Sequence, residues 1–270
     1  MTSDLSALPV PPIPQDQFSP EEIAFFQENG YVIVRGLGDT ATRERMTEVT
    51  LEGQARLIEP VEFEADLHYP GAPQSRDAEG GRTVRRLKQA LTRDYVFLQW
   101  VQNHAFAGRL QQLLGPEIVC PLAHHNCIMT KEPRFSSDTG WHQDIRYWSF
   151  TRPDLVNIWL ALGREDQSNG CLQVIPGTHR MQFDRSRFDD AVFLNPDHPD
   201  NIPLIAKAVP VILDPGDVLF FHCLTFHAAT RNFSTEAKYS VVFTFRAADN
   251  PPLPGSRSAA SSELFIRGSV

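Results

Sequence analysis

The sequence predicts a mainly β protein, in which a helical N-terminal part packs on a β-rich second part within one domain. Helix start and stop signals are concentrated before Gly115-Pro116, and short apolar runs separated by Gly- and Pro-containing turns follow that point. Many short strands between turns are typical of a β-sandwich or barrel. With 270 residues, 41% of them hydrophobic, the chain is long enough to bury one large core.

The helical part begins with a well-marked N-terminus. Ser19 precedes Pro20, and Glu22 follows three residues after Ser19, which is the capping-box pattern of a helix start. Gly30 is expected to end this helix, because glycine readily adopts the left-handed conformation found at helix ends. The further elements predicted in this part are a short strand and two helical regions, at residues 31–34, 40–58 and 95–114.

The second part contains apolar runs, each bounded by turn residues. Asn169-Gly170 is the signal of a tight hairpin, so the run that follows it is expected to return beside the preceding strand. The strands predicted in this part lie at residues 118–120, 125–130, 155–162, 171–175, 209–213, 218–222 and 239–245.

The chain is predicted to consist of a flexible arm, residues 1–18, and a single domain, residues 19–270. The arm is rich in Pro and Ser and lacks the pattern of a secretory signal. Two long polar segments, 59–85 and 179–208, are expected to act as lids that select the substrate, because long ordered loops are often functional. The domain divides into helical support, a β core and a C-terminal tail, at about residues 19–115, 116–250 and 251–270.

Charge and cysteine content exclude several classes of protein. Acidic residues outnumber basic ones by 33 to 25, and no basic stripe typical of a nucleic-acid binder is present. No apolar run is long enough to span a bilayer. The four cysteines contain no Cys-x-x-Cys pair, so they are expected to be reduced, buried thiols. We therefore expect a cytoplasmic protein without nucleic-acid or membrane partners; nothing in the sequence indicates its oligomeric state.

The strongest chemical signal is the stretch Gly-Trp-His-Gln-Asp at residues 140–144. His142 and Asp144 are two residues apart, and in an extended strand such side chains leave the same face. Two histidines and one carboxylate form the facial triad that binds non-haem Fe(II) and leaves positions open for substrate and oxygen. A third ligand must come from a distant strand, and both His222 and His227 are candidates.

Several motifs of the second part follow one another in the order of a known family, over roughly residues 118–246. They are Trp141-His142-Gln143-Asp144 with Tyr147-Trp148, Ile158-Trp159-Leu160-Ala161-Leu162, Ser168-Asn169-Gly170-Cys171-Leu172, Val174-Ile175-Pro176-Gly177-Thr178-His179-Arg180, Pro215-Gly216-Asp217, and His227 with Asn232. The ordered set resembles the phytanoyl-CoA dioxygenase family of Fe(II)/2-oxoglutarate oxygenases. The resemblance implies a double-stranded β-helix, a cupin-like jelly roll with iron at its mouth.

The resemblance also selects ligands and an anchor for the co-substrate. The distal histidine of the family lies five residues before an asparagine, which selects His227 over His222. A basic residue eleven positions later, normally Arg, pairs with the far carboxylate of 2-oxoglutarate. Here that residue is Lys238, which offers a charge but not a planar fork. Ser240 is expected to assist it from the same strand face, and Arg246 on that face is the alternative anchor.

Weaker matches extend the site. Trp159 matches a tryptophan that lines the 2-oxoglutarate pocket, and Cys127 and Lys88 fall near family positions that touch the co-substrate. The residues that follow the ligands in sequence are expected to contact substrate; they are Arg146, Tyr147 and Trp148.

The activity that the resemblance implies is a dioxygenase reaction with Fe(II), 2-oxoglutarate and O2. It would hydroxylate or otherwise oxidise an unactivated carbon, releasing succinate and CO2. Related halogenases have a small residue at the position of Asp144, so the carboxylate favours hydroxylation or another oxidation. We expect a small organic metabolite as substrate, because the chain of net charge −8 shows no basic cluster for the phosphates of an acyl-CoA.

Three other activities compete with this one. The first is a non-catalytic jelly-roll protein that binds a metal or ligand, and the second is the same oxidation of an acyl-CoA. A zinc hydrolase would need a general base beside the metal, and the sequence offers none.

Overall fold

The computed structural model describes residues 15–266, which form two facing antiparallel sheets with helices packed on one of them. The helices are α1 Pro20–Asn29, α2 Thr40–Ala55, α3 Tyr95–Val101, α4 His104–Leu114 and α5 Ile202–Ile205. The strands are β1 Tyr31–Val34, β2 Val61–Phe63, β3 Val84–Lys88, β4 Ile118–Pro121, β5 Cys127–Lys131, β6 Thr139–His142, β7 Leu155–Ala161, β8 Leu172–Val174, β9 Val209–Pro210, β10 Val218–His222, β11 His227–Ala229, β12 Lys238–Ala247 and β13 Glu263–Ile266.

The larger sheet has nine strands and the smaller sheet has four. The larger sheet runs in the order β1-β10-β7-β12-β5-β3-β2, and β4 pairs with both β12 and β13. The smaller sheet runs in the order β6-β11-β8-β9. Since sequential strands such as β7 and β8 lie in different sheets, the chain passes repeatedly between the two layers.

The core consists of two layers, one on each face of the larger sheet. On β7, Ile158 and Leu160 pack against the helices, whereas Trp159 and Ala161 pack toward the smaller sheet. Alternate side chains of a strand leave opposite faces, so a strand with both faces covered is apolar throughout. All seven residues of β7 are buried. Only one of them, Asn157, has a polar amide side chain.

The first helix confirms the predicted capping signals. The Ser19 hydroxyl accepts a hydrogen bond from the Glu22 amide at 3.1 Å, and the Glu22 carboxylate accepts one from the Ser19 amide at 2.8 Å. Gly30 ends the helix with a φ of 79°. In the predicted arm, residues 1–14 lie outside the described residues, but Phe18 is buried and its ring packs edge-on against Phe220 at 5.1 Å.

The predicted hairpin at Asn169-Gly170 is wrong. β8 does not pair with β7; it pairs with β11 and β9 in the smaller sheet. The Asn169 side chain accepts from the Asp166 amide at 2.9 Å, and the Asp166 side chain accepts from the Ser168 amide at 2.9 Å. These bonds close a short 3-10 turn, which carries the chain across to the opposite sheet instead of folding it back.

Two further features bear on the sequence predictions. All four cysteines are free and buried. Within residues 15–266, none of the helices is long and apolar enough to cross a membrane.

Candidate metal centre and adjoining cavity

The structure brings His142, Asp144 and His227 together at one end of the smaller sheet. His142 is the last residue of β6, His227 is the first residue of β11, and the two are direct partners in the antiparallel ladder. Asp144 follows β6 at the start of a 3-10 helix. The Asp144 Oδ1 atom lies 3.7 Å from Nε2 of His142 and 3.6 Å from Nε2 of His227. Three potential ligand atoms therefore converge on one small volume.

Both histidines present the ring nitrogen that a metal requires. Nδ1 of His142 lies 2.8 Å from the Gly140 carbonyl oxygen, and Nδ1 of His227 lies 3.1 Å from the Thr225 carbonyl oxygen. A carbonyl can only accept, so each Nδ1 carries the proton and each Nε2 keeps its lone pair. Burial lowers the pKa of both imidazoles, that of His142 to well below its usual value. Neutral imidazoles are the form that binds a metal.

A buried hydrogen-bond chain orients Asp144. Its Oδ2 atom accepts from the Asn157 side-chain amide at 2.8 Å, and the Asn157 oxygen accepts from the Thr244 hydroxyl at 2.6 Å. This leaves Oδ1 facing the two histidines. Asn157 was not predicted, although a single polar residue inside an otherwise apolar strand is a signal that could have identified it.

His125 is a second residue that sequence analysis missed. Its Nε2 atom lies 2.9 Å from Asp144 Oδ1. Burial by itself would lower the pKa of His125, but the Asp144 carboxylate raises it to about 9. Burial would likewise raise the pKa of Asp144, but the positive charge of His125 and its hydrogen bond to the carboxylate hold that pKa far below its usual range. Asp144 is thus ionised, as a ligand must be.

His222, the other candidate for third ligand, lies away from this cluster. It is the last residue of β10 in the larger sheet. Its Nδ1 atom accepts from the Leu224 amide at 3.1 Å, and its Nε2 atom lies 3.4 Å from Asp154. Its polar atoms therefore serve local contacts.

Three residues expected to bind the co-substrate converge instead on a carboxylate of the protein, Glu165. The Lys238 ammonium lies 3.0 Å from Glu165 Oε2. The Ser240 hydroxyl and the Trp159 indole N–H donate to Glu165 Oε1 at 2.6 and 2.9 Å. Glu165 is completely buried. The charge of Lys238 is therefore matched by an internal acid, which the sequence did not indicate.

Lys131 lies directly opposite Lys238 in the ladder between β5 and β12. Its ammonium donates to the carbonyl oxygens of Ser137, at 3.2 Å, and Thr230. No ion pair joins Lys131 to a carboxylate among residues 15–266. Burial, followed by the nearby charge of Lys238, lowers the pKa of Lys131 to about 7. Lys131 is thus a buried cation without an acidic partner.

The expectation for Arg246 as alternative anchor needs correction. Its guanidinium donates to the Glu263 carboxylate at 2.9 and 2.5 Å and to the carbonyl oxygens of Ala247 and Ala248. Arg246 is absent from the cavity wall, and its ion pair with Glu263 links β12 to β13 across the intervening strand β4.

A cavity of about 710 Å³ adjoins the three candidate ligands. This volume is in the range of small-molecule sites. Tyr69 and Arg85 from the first predicted lid segment line it, as do Ala191 and Phe193 from the second. Sequence-predicted residues on the wall, besides the ligands, are Lys88, Cys127, Arg146, Tyr147, Trp148, Trp159 and Lys238.

Comparisons with known proteins agree with this geometry. The profile of the phytanoyl-CoA dioxygenase family, PhyH, matches residues 26–239. A probable phytanoyl-CoA dioxygenase of Caenorhabditis elegans is 23% identical over 221 residues, covering 79% of this chain and 70% of the relative. The peroxisomal phytanoyl-CoA dioxygenase of Homo sapiens is 23% identical over 240 residues, covering 85% of this chain and 68% of the relative. Dioxygenase cdmD of Talaromyces verruculosus is 27% identical over 243 residues, covering 86% of this chain and 75% of the relative.

Solved structures share the fold. The non-haem α-ketoglutarate-dependent carbocyclase SnoK from nogalamycin biosynthesis matches with a TM-score of 0.73 at 20% identity, covering 96% of this chain and 99% of that chain. EctD from S. alaskensis, solved with 2-oxoglutarate and 5-hydroxyectoine, matches with a TM-score of 0.70 at 17% identity, covering 87% of this chain and 78% of that chain. The predicted jelly-roll architecture is thereby confirmed.

Proposed function

Because the chain belongs to the phytanoyl-CoA dioxygenase family and is a 2-oxoglutarate-dependent non-haem iron dioxygenase, we propose that it oxidises an unactivated carbon of a small organic metabolite. The oxidation would be a hydroxylation or a related reaction, with release of succinate and CO2. The observation that carries the proposal is the convergence of His142, Asp144 and His227 beside the cavity. Because the chain belongs to a family of oxygenases, a catalytic role is favoured over that of a non-catalytic binding protein.

The three ligand side chains fit Fe(II). Two neutral imidazoles and one carboxylate on one side leave the opposite positions open, which is the arrangement of non-haem iron oxygenases. Iron, 2-oxoglutarate and O2 together supply the oxidising chemistry when bound. The chain holds the ligands in place: Asn157 and His125 fix the Asp144 carboxylate, and backbone carbonyls fix the two imidazoles.

The far carboxylate of 2-oxoglutarate is proposed to bind between Lys131 and Lys238. Both lysines line the cavity and face each other across two strands. The Glu165 carboxylate neutralises the charge of Lys238. Of the two lysines, only Lys131 can therefore supply a positive charge that no acid of the protein balances. Trp159 and Ser240 would act chiefly by holding Glu165 and thereby Lys238.

Several cavity residues also bear on the acyl-CoA alternative. The sequence showed no basic cluster, but the fold brings Arg86, Lys88 and Arg257 to the cavity wall. These cations suit the phosphates of an acyl-CoA, so this substrate is the second candidate.

The direct test of the proposed function is to measure succinate formed from 2-oxoglutarate by the Fe(II)-loaded protein. A screen of small metabolites beside acyl-CoA thioesters should find compounds that stimulate succinate formation and gain one oxygen atom. Absence of any succinate, with iron and 2-oxoglutarate both bound, would contradict the proposal.

We also propose that the protein works in the cytoplasm, since four free, buried cysteines suit a reducing compartment. The Homo sapiens relative is named peroxisomal. Locating the tagged protein in its own cells would decide between the two compartments.

A further inference from the structure

The cavity is much more basic than the chain that surrounds it. Seven Lys and Arg residues line it against two acidic residues, Glu62 and Asp144, whereas the chain as a whole has a net charge of −8. A cavity of one charge sign concentrates ligands of the opposite sign. The question is which of these cations are free to bind a negatively charged ligand.

Most of these cations already have a partner or a proposed role. Arg85 pairs with Glu64 at 2.9 Å, and Lys238 pairs with Glu165. Arg86 and Lys88 share one carboxylate, that of Glu62. Lys131 has the proposed role toward 2-oxoglutarate. Two guanidinium groups remain without a hydrogen bond or ion pair among residues 15–266, those of Arg146 and Arg257.

Arg146 is held in place by aromatic rings instead of by hydrogen bonds. Its guanidinium carbon lies 4.0 Å from the centre of the Phe193 ring and 4.7 Å from that of the Tyr147 ring. Its Nη1 atom is shielded from solvent and has no hydrogen-bond partner. Stacking orients a guanidinium but leaves its N–H donors free for a carboxylate or phosphate.

Arg146 also lies close to the candidate metal centre. It is two residues after Asp144, in the 3-10 helix that begins at that ligand. The Phe193 ring on which it stacks contacts the His142 ring at 5.7 Å between centres. An anion bound to Arg146 would therefore lie beside the carbon to be oxidised.

We propose that the substrate of this enzyme is an organic anion, whose carboxylate or phosphate group is bound by Arg146 near the iron. The inference rests on the proposed oxygenase function and names its substrate class. It differs from the acyl-CoA alternative in one respect: a thioester carries no charge near its acyl chain, and its phosphates lie at the far end of the molecule. A free acid places its charge where Arg146 is.

Calorimetry on the Fe(II)-loaded protein without oxygen tests this inference. After 2-oxoglutarate is titrated to saturation, octanoate, octanamide, benzoate, benzamide and octanoyl-CoA are titrated in turn. Each acid should bind about 10- to 100-fold more tightly than its amide, as expected for a charge-assisted bidentate hydrogen bond. Arg146→Gln should remove this preference and leave the dissociation constant for 2-oxoglutarate unchanged, whereas Arg146→Lys should retain part of it.

Arg180→Gln is the matched control, because Arg180 is exposed and lies outside the cavity. It should keep the full preference for acids, and thermal unfolding shows whether each variant is folded.

Equal binding of acids and amides by the wild type overturns the inference. The inference is also overturned if octanoyl-CoA binds more tightly than octanoate to both the wild type and Arg146→Gln. Loss of 2-oxoglutarate binding in Arg146→Gln would assign Arg146 to the co-substrate and also overturn it. Failure of the wild type to bind 2-oxoglutarate at all would instead contradict the proposed function.

Discussion

Lys131 and Lys238 stand directly opposite each other on neighbouring antiparallel strands, and only Lys238 has an acidic partner. Residues opposite each other in such a ladder have their Cβ atoms only about 4.5–5.5 Å apart, so two ammonium groups share one wall of the cavity. In the proposed function this pair, together with the buried Glu165, would take the place of the single arginine that the family resemblance implies. The two lysines are therefore expected to respond differently to substitution.

Replacing Lys131 by Met should raise the apparent KM for 2-oxoglutarate by about 10- to 100-fold, since a hydrogen bond to a charged group contributes roughly 1.5–3 kcal/mol. Met keeps an unbranched side chain of similar size but removes the charge and the hydrogen-bond donors of the ammonium group. Steady-state succinate formation at varied 2-oxoglutarate measures the effect. Lys207→Met, at an exposed lysine, is the control. An unchanged KM in Lys131→Met would leave Lys238 as the sole anchor.

Replacing Lys238 by Met should instead lower the free energy of unfolding by about 3–5 kcal/mol, because it leaves the buried Glu165 carboxylate without its cation. The double variant Lys238→Met/Glu165→Gln should recover most of that loss, since Gln retains an oxygen that accepts from Ser240 and Trp159. Urea denaturation of both variants gives the two values. Equal destabilisation of the single and double variants would show that the ion pair is not its source.

Binding of 2-oxoglutarate should take up a proton above neutral pH. Burial and Lys238 lower the pKa of free Lys131 to about 7, so this lysine is mostly neutral in weakly alkaline solution. A bound carboxylate favours the charged form and raises that pKa, so affinity should fall as the pH rises through and above about 7. Calorimetry in two buffers of different ionisation enthalpy counts the protons. Lys131→Met should abolish the uptake; a proton uptake equal to that of the wild type would exclude Lys131 as its source.

The support of Asp144 by Asn157 gives another prediction. Asn157→Leu should weaken Fe(II) binding by about 10- to 100-fold, the usual cost of removing a partner that orients a ligand. Thr244→Val, one step further from the carboxylate, should weaken it less. A metal-binding titration measures both constants. Wild-type affinity in Asn157→Leu would mean that the chain through Asn157 does not position the ligand.

Local signals predicted much of the fold, because the contacts that decide these elements are close in sequence. The capping pattern at Ser19 predicted the start of α1. The two-residue spacing of His142 and Asp144 predicted that their side chains lie close together. By contrast, no strand was predicted at β3, whose first two residues end the polar segment 59–85. Three of its five residues, Arg85, Arg86 and Lys88, are charged and line the cavity, so the run lacks the apolar pattern by which the other strands were predicted.

The wall of the proposed co-substrate site could not be predicted from spacing. Glu165 and Lys238 are 73 residues apart in sequence and meet only because the turn after β7 brings Glu165 beneath β12. His125 reaches Asp144 in the same way, from the loop between β4 and β5. Partners of buried charges are selected by the three-dimensional packing, and neither residue type nor local periodicity marks them in advance.

The iron content of two histidine variants tests the central claim most directly. Single Ala substitutions of His227 and His222 are purified, loaded with Fe(II) without oxygen, dialysed and assayed for bound metal. His227→Ala should retain little or no iron, because it removes one of three protein ligands. His222→Ala should keep close to one iron per chain, since its two ring nitrogens contact Asp154 and the Leu224 amide and lie outside the cluster of candidate ligands. Loss of iron from His222→Ala, with iron kept by His227→Ala, would contradict the assignment of the metal centre.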